Sequence, residues 1–265
     1  MMVYTHGFTF DDKTSDEYGL LVCEFDGNTP SETSGGNIEF TLTSSPIQNR
    51  WYKSGNGNYT EQIKFEFQVA KHNFKPIDTY EYSAIQRWLQ RKDGFKEFSI
   101  TKLDYDTVHF NVQLNVSPIS VAGEIYGLTI SGVTDAPYGF GQMVTLKGTT
   151  KNGMTSIKFA DMSDEIGYIY PDIEISILSD CNLKITNETS GEIFTLRNCV
   201  ANELIKINGQ FLTITSTTPF HNIYEDSNYK FPRIINDFNK RINTFLIEGN
   251  CTITMKYRPI RKVVI

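Results

Sequence analysis

The 265-residue sequence holds only four cysteines, Cys23, Cys181, Cys199 and Cys251, and no two of them form a C-x-x-C pair. That removes the usual signature of a zinc ribbon and of a thioredoxin-type redox site, and predicts buried free thiols. Histidine is equally sparse. His6, His72, His109 and His221 are scattered, whereas metal ligands usually arrive in close sequence pairs, so no metal and no other cofactor is expected. No apolar run approaches the roughly 20 residues of a membrane span, and the opening residues lack a basic start followed by an apolar stretch. Membrane insertion and secretion are therefore not expected, assembly in a cytoplasm is, and the sequons at Asn58, Asn115, Asn187 and Asn250 read as chance. Positive charge is in deficit, with 25 Lys and Arg against 31 Asp and Glu and a net charge of −6. This excludes the broad positive field that tight, specific nucleic-acid binding needs. G-x-S-x-G, P-loop and G-x-G-x-x-G motifs are missing, and "SGNGNY" around Gly55 and Gly57 reads as a flexible loop.

What is present is a β pattern. Ile63, Phe65, Phe67 and Val69 fall on one face of a strand, as do Val108, Phe110, Val112, Leu114 and Val116, with His109, Asn111, Gln113 and Asn115 opposite. A period of two means half-buried antiparallel strands. One stretch breaks the period: "PIDTYEYSAIQRWLQRKDGF" predicts a helix over about 78–92. Asp78 and Glu81 make a capping box, Ile85, Trp88 and Leu89 lie on the apolar stripe with Ala84, Arg91 and Lys92 suit the C-terminal dipole, and Gly94 ends the helix. Trp88 is read as core rather than as a ligand platform.

Beyond residue 142 short strands follow one another, separated by turn signals such as "NETSG" and the Asn208–Gly209 pair, which suggests a β-sandwich of jelly-roll type. Residues 216–242 read as a long loop or covering segment. Asp172 and Glu174 share one face of a strand and form a carboxylate pair that a glycosidase could use, yet Ile173, Ile175 and Ile177 fill the other face, making the pair the ordinary solvent side. Asp161, Asp164 and Glu165 lack the EF-hand spacing and read as a solvated acidic turn.

Taken together, the order of several segments carries a resemblance. "FTFDDKTSDEYGLLV", with Phe8, Phe10, Ser15, Asp16, Tyr18 and Gly19, the helix segment with Trp88, Leu89 and Gly94, "LDYDTVHFNVQL", "DAPYGFG", "YPDIEISI", "ITNETSGEIFTL", "ELIKINGQFLTI" and "EGNCTITMKYRPIRKVVI" follow one another along the chain. In this order they resemble the distal tail protein family of long-tailed, siphovirus-type bacteriophages, often called Dit. Asp11 and Asp12 depart from the resemblance where a turn glycine is common, and Gly139 and Phe140 where tryptophan is.

The resemblance implies a mainly β protein and a structural role rather than an enzymatic one. An N-terminal β-sandwich-like ring-forming domain (1–134) would carry the single helix, and a galectin-like β-sandwich (135–265) would follow. It further implies a homo-hexameric hub at the distal end of the tail tube, in the baseplate of the virion. The implied partners are other copies of itself, the major tail tube protein, the tape-measure protein, the tail-tip or tail-associated protein and the receptor-binding protein. Trp51, Tyr52 and Tyr59, aromatics among Gly, Asn and Ser, are candidate ring-interface residues, equally readable as folded back on their own domain. Asp135, Pro137 and Tyr138 form the expected interdomain junction, where Pro137 and the neighbouring glycines redirect the chain. Two other classes stand beside the hub reading: a carbohydrate-binding module contacting host cell-wall glycans through Tyr168, Tyr170, Tyr224 and Tyr229, and, ranked last, a glycoside hydrolase using Asp172 and Glu174.

Overall fold

The computed structural model describes residues 2–3, 7–25, 38–43, 54–100, 108–237 and 239–262. It is mainly β, and it divides into two compact units, Met1–Gly141 with Lys262–Ile265, and Gln142–Arg261.

The first unit holds strands β1 (Met2–Val3), β2 (Phe8–Phe10), β3 (Lys13–Thr14), β4 (Leu20–Glu24), β5 (Ile38–Thr43), β6 (Ser54–Tyr59), β7 (Lys64–Lys71), β8 (Lys96–Ile100), β9 (His109–Val121), β10 (Glu124–Thr134) and β11 (Gly139–Phe140), with helix α1 (Thr79–Leu89). An antiparallel sheet runs in the order β1-β4-β7-β10-β9-β8-β2-β3, while β5 and β6 form a separate hairpin. The stretch "SGNGNY" is thus a paired strand and not a flexible loop: Gly57 sits opposite Phe40 and Gly55 opposite Leu42 in the ladder. Backbone pairing by β5 supplies what the small side chains do not, which is why local composition misleads here.

The period-two reading of β7 and β9 holds. Phe65, Val69, Phe110, Val112, Leu114 and Val116 are buried in one core that also takes in Ile85, Trp88 and Leu89 of α1. The helix begins as its capping box dictates, with Asp78 Oδ1 accepting from the amides of Tyr80 and Glu81 at 2.8 and 2.9 Å and Glu81 Oε2 accepting from the Asp78 amide at 2.9 Å. It ends at Leu89, three residues short of the expectation. Arg91 does not serve the helix dipole. Its guanidinium turns to Asp93 at 2.6 Å and to Asp11 at 3.0 Å.

Asp11 explains a departure noted in the sequence. Asp11 and Asp12 form the two-residue loop between β2 and β3, with Phe10 opposite Lys13 and φ angles of 50° and 63°. This tight hairpin wants two left-handed residues, for which glycine is the usual choice. Aspartate tolerates that region better than most residues do, and Arg91 anchors the first of the two.

The second unit is a sandwich. Its strands are β12 (Val144–Thr149), β13 (Met154–Ala160), β14 (Gly167–Ile169), β15 (Asp172–Ile177), β16 (Cys181–Asn187), β17 (Glu192–Cys199), β18 (Leu204–Asn208), β19 (Thr213–Ser216), β20 (Ile234–Asn236), β21 (Ile242–Glu248) and β22 (Cys251–Tyr257), with a single helical turn α2 (Ile223–Asp226). A five-stranded sheet, β12-β22-β15-β18-β19, faces a four-stranded one, β13-β21-β16-β17, and β14 pairs with β20. Ile173, Ile175, Ile205 and Ile253 from one sheet meet Leu183, Ile185, Phe245 and Ile247 from the other in one core, as the alternating pattern of each strand requires. The covering segment expected over 216–242 contains α2 and β20.

Candidate functional site

Trp88 is 4% exposed. Tyr18 stacks on its ring with centroids 4.3 Å apart and Phe8 at 5.6 Å, and Nε1 donates to the Phe10 carbonyl at 2.9 Å. A buried, stacked ring with its donor satisfied has little left to offer a ligand.

Of the candidate ring-interface residues, Trp51 and Tyr52 lie outside the described residues. Tyr59 ends β6 half-buried, its ring edge-on to Tyr138 at 6.0 Å. At the expected junction, Asp135 takes part in two hydrogen bonds with Asn111, accepting from its Nδ2 and donating its own amide to the Asn111 carbonyl, both at 2.9 Å. The Asp135 residue is exposed, yet partial shielding of its carboxyl pushes it up, opposed by the Asn111 bond. Tyr138 also packs edge-on against Phe140 at 5.6 Å. Gly139 follows it because a Cβ there would sit 2.5 Å from Val108 and 2.8 Å from the Phe110 ring.

Asp172 and Glu174 project from β15 into a shallow groove of about 420 Å³ on the outer face of the five-stranded sheet, shared with Lys206, Asn208, Thr215 and Lys256. Asp172 Oδ1 accepts from the Gly209 amide at 2.8 Å, and Glu174 lies 3.8 Å from Lys206. Both carboxylates are exposed. Among the tyrosines weighed as sugar platforms, Tyr168 carries the Arg233 guanidinium 4.0 Å over its ring. Tyr224 and Tyr229 are exposed.

The acidic turn differs from its expectation. Asp161 is 0% exposed rather than solvated, its Oδ1 accepting from Ser163 Oγ at 3.0 Å. Burial pushes its carboxyl above the ordinary range, against the pull of the Ser163 hydrogen bonds. The turn folds inward because Asn236, from β20, donates to the carbonyls of Ser163 and Glu165 at 2.7 and 2.8 Å. Asp164 lies 3.6 Å from Arg261. Among the described residues no three His, Cys, Asp or Glu side chains gather as a metal would require. The four cysteines are free, with Cys23, Cys199 and Cys251 buried and Cys181 partly so. Burial raises the Cys251 thiol to about 11 and the Cys199 thiol to about 12, as inert packing groups.

Two polar clusters in the second unit gave no sequence signal. Asn187 and Asn243, 1% and 0% exposed, hydrogen-bond at 2.9 Å, and Asn243 pairs with both the amide and the carbonyl of Ile235 as a neighbouring strand would. Glu203, 1% exposed, meets the ring of His221 at 2.6 Å. Residues eight or more positions apart in sequence make these pairs, so no local motif could announce them.

Two family models match most of the chain: a phage tail protein N-terminal domain over residues 3–136 and a phage tail C-terminal domain over residues 138–257. The chain belongs to this phage tail protein family.

The phage tail protein shares its fold with solved structures at low sequence identity. Over 96% of this chain and 99% of the other, it is similar to the Dit protein of phage SPP1, described as a paradigm of the hub adsorption apparatus in phages infecting Gram-positive bacteria, with a TM-score of 0.62 and 12% identity. A chain of the phage p2 baseplate in its activated conformation with Sr covers 96% of the phage tail protein and is itself covered to 98%, with a TM-score of 0.51 and 12% identity. No match is found among curated proteins.

Proposed function

We propose that this tail protein is the hub at the distal end of the tail tube, assembling as a homo-hexameric ring through its first unit, with the galectin-like second unit around it. In this reading it joins the tube and tape-measure proteins to the tail-tip and receptor-binding proteins, and its role is structural. The observation that carries the reading is the near-complete mutual coverage with the SPP1 Dit protein, added to the two consecutive tail-domain matches. A partial match would leave room for a different assembly. Here neither chain has a large segment the other lacks.

The chemistry of the chain is compatible with such a role. A closed ring needs one patch to meet a different patch, and exposed strand edges and hairpins can meet by sheet extension. Native mass spectrometry of the purified protein, together with imaging of the virion tail end, tests the proposal. A six-membered ring in solution or at the tail tip is the expected result. A monomer in solution combined with no ring density at the tip overturns it.

A further inference from the structure

Residues 217–233 form a strap that leaves β19, crosses the outer edge of β17 and returns as β20. Asn228 stands in for a neighbouring strand. Its amide donates to the Thr195 carbonyl at 3.2 Å, its Oδ1 accepts from the Thr195 amide at 3.2 Å, and its Nδ2 donates to the Ile193 carbonyl at 2.8 Å. From β17, Arg197 donates to the Glu225 carbonyl and Asn198 Nδ2 to Asp226 Oδ1, each at 2.8 Å. An unpaired strand edge is a ready template for another chain, and the strap closes this one.

The strap is held by His221, whose side chain is 1% exposed. Nδ1 lies 2.6 Å from Glu203 Oε1, and Nε2 lies 2.8 Å from the Arg197 carbonyl oxygen with Asp226 Oδ2 at 3.5 Å. An ionised carboxylate and a carbonyl can only accept, so with Glu203 ionised both contacts are hydrogen bonds only when each ring nitrogen carries a proton. We propose that doubly protonated His221 is a pH-sensitive latch that pins the strap over the β17 edge, and that losing one ring proton as pH rises releases it. Deprotonation leaves one ring nitrogen with no proton to donate, so either the buried Glu203 carboxylate loses one of its donors or the strap loses its bond to the Arg197 carbonyl.

The charged surroundings are few. The β17–β18 turn supplies Glu203, which also accepts from Ser216 Oγ and from the Val200 amide at 3.0 Å. Helix α2 supplies Asp226, and β17 supplies the Arg197 guanidinium 3.8 Å from that same carboxylate, together with the Cys199 thiol near Glu203. Burial alone would raise the Glu203 carboxyl, but the bonds from Ser216, His221 and Val200 and the imidazolium charge together hold it below the ordinary range. A carboxylate depressed in this way keeps its contribution above the ordinary range and loses it only as pH falls through the lowered value. The Glu203 side of the latch is therefore lost only in acid, and release on raising pH rests on the ring proton alone.

Two measurements on the full chain test this. In long-range proton–nitrogen spectra of histidine-labelled protein, with His221 assigned by its absence in His221→Asn, the His221 ring is expected to show two protonated nitrogens at about pH 6. In hydrogen exchange corrected for intrinsic rates, amides of 223–228 should lose protection by about tenfold or more between about pH 6 and about pH 9, while those of β15 keep theirs. Glu203→Gln should move the opening to lower pH. If that variant fails to fold, Asp226→Asn should move it the same way by a smaller step. A neutral ring in one tautomer at about pH 6, or strap protection that does not change with pH, overturns the proposal.

Discussion

Asp161 has entered a core, and among the described residues no cation forms an ion pair with it. Ser163 satisfies Oδ1, Oδ2 has no partner in hydrogen-bonding geometry, and the Tyr257 hydroxyl is its close neighbour. Burial raises the folded-state carboxyl above its unfolded value. The folded protein therefore binds this proton more tightly than the unfolded chain does, so stability falls as pH rises between the two values. Asp161→Asn removes the titration while keeping the shape and the Ser163 bond. The variant is expected to match the parent's Tm at about pH 3 and to exceed it at about pH 7, by several degrees. Thermal melts of both proteins at the two pH values check this. The same residue marks a limit of sequence reading: one Asp in an acidic run reads as solvated, and only Asn236 reaching in from β20 turns the loop inward.

Among the elements, the turn between β18 and β19 carries a constraint that its sequence suggests for another reason. Asn208–Gly209 reads as a turn signal, and Asn208 pairs with Thr213, so the loop spans four residues. Gly209 is required by close approach. A Cβ there would lie 2.0 Å from the Tyr170 carbonyl oxygen, and its amide is held by Asp172. Backbone is the obstacle and cannot swing away as a side chain can. Gly209→Ala is therefore expected to cost about 1–3 kcal/mol, measurable as a lower denaturation midpoint with an unchanged m-value. The α1 helix gives the opposite lesson. Its start was legible to the residue because a capping box is a local device, while its end was not. Arg91, which suits a helix terminus by type, is drawn away by Asp93 two positions on and by Asp11 across 80 positions of sequence.

At the scale of the molecule, the two units keep separate cores, one from Phe8 to Ile130 and one from Ile157 to Tyr257, with no buried residue in common. Domains with their own cores can unfold on their own. Calorimetry is expected to show two transitions. Leu128→Ala, at a site 0% exposed in the first core, should lower one of them, and Ile175→Ala, equally buried in the second, should lower the other. Each substitution should cost about 2–5 kcal/mol. A single transition shifted by both variants would show that the units unfold as one.

The sequence by itself determined the period of its strands, the start and apolar face of α1, the scarcity of metal-binding patterns and, through the order of its segments, the tail-protein resemblance. Each of these is written in residues within about one element of each other, or in a pattern repeated along the chain. Tertiary structure alone decided that "SGNGNY" is a strand, that Asp161 is buried, that Phe8 and Tyr18 stack on Trp88, and that His221 faces Glu203 and the Arg197 carbonyl. Those outcomes depend on which distant backbone or side chain arrives at a given place, and hydrogen-bond partners brought together by the fold override what local composition prefers.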